Sequence, residues 1–402
     1  MGRIRIGRRG AIASGVAALT APMAAPSVLR AQGEPIKIAT LTPLTGAGGS
    51  YGPVMAKAAG AVVEEVNAAG GVLGRRVQLV SEDDQTSPEA GVRAARKLID
   101  VDKVSAIVGT WASSVTTAVA PLCWESKTFL CTVSGADSIT LLPHQGFLVR
   151  TQPNSQLQVT RVAEFMLSLG GKKVFTMIPQ TPFTQSTFDV LGRVLPKGGA
   201  THQSLIYDDK KTTYRTEIDQ ALRTDPDIIL AGGYTPDTVV LLKDLYRAGF
   251  KGKVLGFAYS INQKLIDQIA QPEVVEGIYT FAPSPAEGSS TYERVKKASG
   301  LTNPDPYTSQ IYDHASMVLM AMAQAKATTG VAIKDNIRKI TQGGGKTVDN
   351  AVDGIKAIAA GEKVDYAGAS GPCDFDDKGD ILDCKFRYEQ VKAGKFALVK
   401  IA

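Results

Sequence analysis

The sequence is poor in the residue types that build metal centres and redox sites. Among 402 residues it has four cysteines and three histidines. Cys123, Cys131, Cys373 and Cys384 show no C-x-x-C spacing, and His144, His202 and His314 lie far apart, so zinc and thioredoxin-type chemistry lack a ligand set. No H-E-x-x-H helix occurs, and no histidine stands in a triad context, so nothing argues for an enzyme. Net charge of one sign is also scarce. The formal charge is +6, but five of those charges are Arg3, Arg5, Arg8, Arg9 and Arg30, in a segment without acids. The remaining chain is near neutral, which excludes an electrostatic nucleic-acid binder.

The first 31 residues read as an export signal. An Arg-rich start is followed by an Ala/Gly/Val/Leu stretch from Gly10 to Ala25 and a small residue, Ala31, before Gln32. The pair Arg8-Arg9 resembles a twin-arginine signal. The apolar run is interrupted by Thr20 and Pro22 and is shorter than the about 20 residues a bilayer span needs. No cysteine stands near the cleavage point, so the expected mature chain is free in the periplasm rather than lipid-anchored.

From Ile36 onward strand and helix patterns alternate. Ile36–Leu41, Arg76–Glu82, Val104–Val108, Thr128–Thr132 and Phe147–Arg150 read as strands, with helical patterns between them. Short connections of this kind indicate a parallel, doubly wound α/β sheet. After the turn Gln152-Pro153-Asn154-Ser155 the grammar repeats through Phe281. Four helical patterns follow without strands, and the tail around Asp377-Lys378-Gly379-Asp380 reads as a hairpin. The expected architecture is two Rossmann-like lobes joined by a multi-strand hinge. Residues 32–152 and 284–367 form the first lobe, and 153–283 with 368–402 form the second. Open α/β sheets bind ligands at the carboxyl ends of their strands, so the site is expected in the cleft between the lobes.

Three loops at such ends are informative. Thr45 to Gly52 is glycine-rich and offers the ring and hydroxyl of Tyr51. Gly109-Thr110-Trp111-Ala112-Ser113-Ser114 opens a helix, where free amides, a hydroxyl and the positive helix end favour a carboxylate; Ser113 also suits an ordinary cap. Val133-Ser134-Gly135-Ala136-Asp137 is a third small-residue loop. Gly343-Gly344-Gly345-Lys346-Thr347 imitates the end of a phosphate loop, but Ile340 stands where its first glycine belongs.

Pro43-Leu44-Thr45-Gly46, Tyr51-Gly52, the run from Asn67 to Gly74, Glu82-Asp83-Asp84, Ser87-Pro88, Val108-Gly109 and Gly232-Gly233-Tyr234 occur in one order along the chain. In that combination the sequence resembles the leucine/isoleucine/valine-binding family of type I periplasmic solute-binding proteins, the extracytoplasmic receptors of ABC importers. The resemblance covers nearly all of the chain after residue 35. It implies a small-molecule carboxylate as ligand, an inner-membrane ABC permease as partner, and a monomer without cofactor, metal or nucleic acid. Ser113 would hold the ligand carboxylate with backbone around Trp111 and Ala112. Tyr51, Trp111 and Tyr307 would line the pocket from the first lobe, and Tyr234 would close from the second.

Three positions depart from the family pattern. Gly135 stands in place of a ligand-contacting threonine, beside Ser134. Phe183 replaces a second-lobe tyrosine. The acid that neutralises an α-ammonium falls at Ala258, beside Tyr259. An unpaired ammonium in a closed cleft costs several kcal/mol, so an aromatic or aliphatic acid is expected ahead of a zwitterionic amino acid. An alignment offset would leave Asp208, Asp237 or Asp313 as the missing acid. A ligand-sensing receptor of the same fold is the alternative function. Cys373 and Cys384 flank the tail turn at equal distance, which predicts a disulfide; Cys123 and Cys131 are either a second bridge or buried thiols.

Overall fold

The computed structural model describes Gly2 and residues 33–402, so the export signal lies outside the described residues. The first lobe begins with β1 (Ile36–Thr42), α1 (Gly52–Ala68), β2 (Val77–Asp83), α2 (Pro88–Arg96), β3 (Ala106–Gly109), α3 (Ser113–Ser126), β4 (Phe129–Thr132) and β5 (Leu148–Arg150). Its strands pair in parallel in the order β2-β1-β3-β4-β5. β1 and β3 are buried along nearly their whole length because helices cover both faces of the sheet. α1 has Pro53 in its first turn, and α2 is capped by Ser87, whose hydroxyl accepts from Ala90 N at 3.3 Å.

The second lobe runs through α4 (Ser155–Ser168), β6 (Lys173–Pro179), α5 (Pro182–Lys197), β7 (Thr201–Tyr207), α6 (Arg215–Leu222), β8 (Ile228–Ala231), α7 (Thr235–Arg247), β9 (Lys253–Phe257), α8 (Gln263–Ile269), α9 (Pro272–Val275) and β10 (Tyr279–Pro283). The chain then returns to the first lobe with α10 (Ser290–Ser299), α11 (Pro306–Ala325), α12 (Gly330–Thr341), β11 (Lys346–Val348), α13 (Ala351–Ala359), β12 (Val364–Gly368) and β13 (Gly371–Pro372). It ends on β14 (Phe386–Lys392) and β15 (Lys395–Ile401). The second sheet has the order β15-β14-β10-β9-β8-β6-β7. It is parallel from β7 to β10 and antiparallel where β14 and β15 are added. From Tyr307 to Ala323 every residue of α11 is buried, because the helix is enclosed by α1, α12 and α13.

The two doubly wound lobes agree with the sequence reading, and several details differ. The returning helices bring a small sheet of their own, β11-β12-β13. The expected boundary at 367/368 falls too early, since Ala369, Cys373, Phe375 and Ile381 are buried in the first lobe's core. The C-terminal antiparallel hairpin is β14–β15, turning at Ala393-Gly394, rather than the segment around Asp377–Asp380. That earlier segment pairs only briefly, at Phe375 with Ile381 and through Leu382 N to Asp374 O at 3.0 Å.

This register corrects the predicted disulfide. With Phe375 opposite Ile381, Cys373 falls opposite Asp383 and Cys384 opposite Pro372, an offset of one residue. Neighbouring side chains in extended backbone point to opposite faces, and this offset accounts for the two thiols being unpaired. Cys373 and Cys384 are free, and so are Cys123 and Cys131, whose thiols burial holds in the protonated form with the Cys123 pKa pushed up to about 12. Alkylation of the unfolded, unreduced protein followed by mass mapping is expected to label all four cysteines. A Cys373–Cys384 peptide pair surviving the alkylation contradicts this register.

Candidate functional site

Both sheets reverse their winding direction between two central strands, β1/β3 in one lobe and β6/β8 in the other, and the two switch points face each other. The loops after β3 and β4 meet those after β6, β8 and β9 around a cavity whose atom-free space, together with the open solvent at its mouth, is about 540 Å³. Of the ten residues singled out in the sequence, Trp111, Ala112, Ser113, Gly135, Phe183, Tyr234, Tyr259 and Tyr307 line it. Tyr51 lies beside it, on a second cavity, and Ser134 faces away. The Ser134 hydroxyl lies within 2.5 Å of Thr116 Oγ1 and donates to the Trp111 carbonyl at 2.9 Å, so it supports the loop from behind.

One end of the cavity is built from donors. The chain leaves β3 through Gly109, whose φ of +127° no other residue suits, since a Cβ there would sit 2.5 Å from Leu41 O. Trp111 and Ala112 follow, and Ser113 is the first residue of α3 rather than its cap, Ala112 holding that place. The first-turn amides of α3 therefore point out of the helix without intrahelical partners. Ser113 Oγ accepts from Ala136 N at 3.3 Å, which leaves its own proton to donate.

The loop from Ser134 to Ala136 completes that end. Arg150 Nη1 takes the Ser134 carbonyl at 3.1 Å and the Ala136 carbonyl at 2.7 Å, and Ser155 Oγ takes the Gly135 carbonyl at 2.9 Å. Three successive carbonyls are thus turned into the protein. Gly135 N has no partner among the described residues, and Gly135 lines the cavity. A side chain at Gly135 has no room, because its Cβ would lie 2.6 Å from Gln158 Nε2 and 2.9 Å from the Phe183 ring. That crowding explains the departure from threonine.

Rings make up the rest. Trp111 stacks on Tyr51 at 5.4 Å, meets Tyr307 edge-on at 5.7 Å, and touches second-lobe Tyr234 and Tyr259 at 5.4 and 6.0 Å between centroids. Phe183 meets Phe257 and Tyr259 edge-on. The lobes also join through Tyr51 Oη to Ala258 O at 3.2 Å, Asn262 Nδ2 to Tyr51 Oη at 2.9 Å and Lys264 Nζ to Ser50 Oγ at 3.0 Å. The buried amides Gln152 and Gln158, where the chain crosses between the lobes, and Arg150 were missed in the sequence analysis. An arginine closing an otherwise apolar strand was the one available signal.

No lining residue of this cavity carries an ionised side chain. Each acid held open by the sequence is engaged elsewhere. Asp313 accepts from Tyr366 Oη, Ala369 N and Ser370 N inside the first lobe. Asp237 is behind Gly233, where it accepts from Tyr207 Oη at 2.6 Å and Tyr234 N at 2.8 Å, and burial pushes its pKa up to about 6. Asp208 is exposed in the turn after β7. The run Gly48-Gly49-Ser50-Tyr51-Gly52 has the spacing of a hydrolase nucleophile turn, yet Ser50 is exposed and accepts from Lys264. Gly343 to Thr347 leads from a helix into strand β11, the reverse of a phosphate loop.

Two expectations follow for stability. Arg150 is fully buried and its Nε meets Asp380 Oδ1 at 2.5 Å, so Arg150→Met strands a buried carboxylate and is expected to cost about 3–5 kcal/mol in urea unfolding. Adding Asp380→Leu should recover most of that loss. Asp84 is fully buried with Oδ2 unpartnered among the described residues, and burial, with Asp83 beside it, pushes its pKa up to about 7. The folded state therefore holds a proton that the unfolded chain has already released, and stability falls as pH rises from about 4 to 7. Asp84→Asn should leave stability at pH 4 unchanged, raise it at pH 8, and flatten the slope between.

A model of the family described as periplasmic binding protein matches residues 35–395. The chain is 27% identical over 354 residues to BasB, the chemotactic signal transduction system substrate-binding protein of Halobacterium salinarum, covering 85% of this chain and 84% of that one. A leucine-binding protein of Thermotoga maritima superposes with a TM-score of 0.78 at 22% identity, covering 91% of this chain and 98% of its own. An R. palustris ABC transporter solute-binding protein, solved with 4-hydroxybenzoate, gives 0.74 at 16% identity over 92% of this chain and 97% of its own. With two facing switch points, an interlobe cavity between them and a family match over almost its full length, the chain belongs to the periplasmic binding proteins, in the leucine/isoleucine/valine-binding group of type I solute receptors.

Proposed function

We propose that the protein captures a small carboxylate with an aromatic or apolar body and no α-ammonium, closes its lobes over it in the periplasm, and delivers it to an inner-membrane ABC permease. One observation carries this reading. The interlobe cavity joins an end lined by hydrogen-bond donors to a wall of rings and has no carboxylate among its lining residues to receive an ammonium. Ser113, the α3 amides and Gly135 N would hold the carboxylate, and Trp111, Phe183, Tyr234, Tyr259 and Tyr307 would enclose the body. Ala258 offers only a methyl and a carbonyl that already accepts from Tyr51. Solved proteins of this fold include complexes with isoleucine and with 4-hydroxybenzoate, so fold alone does not choose between the classes.

BasB's place in a chemotactic system favours a second reading, a receptor whose closed form is read by a signalling partner. Deleting the gene separates the two, since loss of uptake marks the importer and loss of attractant response with uptake intact marks the receptor.

Calorimetry with leucine, phenylalanine and their desamino counterparts tests the ligand class. The desamino acids are expected to bind at least about tenfold tighter, because an unpaired buried ammonium costs more than the ~1.4 kcal/mol that factor represents. Ser113→Ala should weaken them by about 1–3 kcal/mol. Tighter binding of leucine or phenylalanine defeats the reading. X-ray scattering should show a smaller radius of gyration at saturation, since only closed lobes touch the ligand from both sides.

A further inference from the structure

The cleft holds a second, larger chamber. It shares Gln158, Tyr259 and Tyr307 with the first cavity and lies on the other side of Tyr51 and Tyr307. Measured in the same way, its atom-free space is about 1630 Å³ against about 540 Å³ for the first. Aromatic faces from both lobes surround it, among them Tyr51, Tyr259, Tyr292 and Tyr307. Its charged groups are Asp305, Glu287, Glu389 and Arg387. Arg387 is engaged by both glutamates, its Nε reaching Glu389 Oε1 at 2.7 Å and its Nη1 reaching Glu287. Among the described residues no cation pairs with Asp305. Its oxygens accept from Thr308 N at 3.0 Å and Thr308 Oγ1 at 2.7 Å, as the cap of α11. It lies close enough to Tyr51 and Tyr307 for its charge to raise both hydroxyl pKa values.

We propose that this chamber is a distal subsite for a cationic group of the ligand, with the Asp305 carboxylate and the surrounding ring faces as its receptors. The inference rests on the carboxylate reading of the first cavity and extends it. A ligand anchored at Ser113 would pass the ring layer and place a primary or quaternary ammonium in the second chamber. Ring faces attract cations, and three carboxylates against one guanidinium leave the chamber with an excess of negative charge. Ala258, also on this chamber's wall, has only a methyl for a side chain. The ligand class is therefore a carboxylate whose positive charge is one ring away from the acid group rather than on its α-carbon. A short amino acid cannot reach both ends.

Calorimetry on the intact mature protein at pH 8 tests this, using 3-phenylpropanoate and 3-[4-(aminomethyl)phenyl]propanoate as probes. At that pH the amine is protonated, and Asp305, whose carboxyl burial holds above its usual range, lies further toward its ionised form than at neutral pH. The aminomethyl compound is expected to bind at least tenfold tighter. Asp305→Asn should abolish that gain while leaving 3-phenylpropanoate within about twofold, since asparagine caps a helix as well as aspartate does. Equal binding of the two probes, or a gain that survives Asp305→Asn, overturns the distal subsite and leaves the carboxylate reading standing. Leucine binding with no binding of 3-phenylpropanoate overturns the carboxylate reading itself. Failure of both probes in a protein that still unfolds cooperatively overturns the two together.

Discussion

The buried pair Arg150–Asp380 is the constraint on which the site depends. Arg150 uses every arm of its guanidinium, on Asp380, on the Ser134 and Ala136 carbonyls, and on Thr140 Oγ1 at 3.1 Å. Asp380 in turn holds Asn154 Nδ2 at 3.0 Å, and Asn154 caps the first helix of the second lobe. One ion pair thus ties together the site loop, the hinge crossing and a turn from near the end of the chain. Such a pair contributes little net stability by itself, because desolvating two charges offsets much of their attraction. What it supplies is orientation. Carbonyls that would otherwise face the cavity, and repel an anion, are held on its far side.

Around this pair the hinge is polar where the lobes are apolar. Gln310 Nε2 donates to Gln152 Oε1 at 2.9 Å, Gln158 Nε2 to Pro153 O at 2.9 Å, and Thr151 Oγ1 meets His314 Nε2 at 2.8 Å. Burial holds the His314 pKa down near 3, so that contact is between neutral groups. Hydrogen bonds of this kind are directional and can pivot, whereas interdigitated side chains resist sliding. The lobes themselves meet through aromatic contacts and a few hydrogen bonds, an interface weak enough to open and shaped enough to close in one register.

The lobes were legible because period-2 and period-3.6 patterns alternate cleanly from β1 to β10, and because strand order then fixes where a cleft must lie. Trp111, Ser113 and Tyr234 were legible because each follows a strand that ends in glycine or a small residue. Arg150 was not, since its partner is 230 residues away and no local pattern connects them. Ser134 was misplaced by its neighbours: alternation along the loop sends its hydroxyl into the Thr110–Thr116–Thr132 network and gives the cavity to Gly135. The strands β14 and β15 were hidden because FRYEQVK and KFALVKI interleave charge with apolar residues on an edge that is half exposed. The tail thiols were misjudged by a single residue, the difference between counting from a turn and knowing which residues pair.

That single residue reaches beyond the native structure. Because Cys373 and Cys384 are unpaired, every contact in the tail is made without an oxidant, and the fold makes no demand on the redox poise of the compartment where it forms. No oxidase has to act and no mispaired intermediate needs an isomerase, so the tail is held by packing and by the Asp380 contact with Arg150, neither of which a reductant can undo.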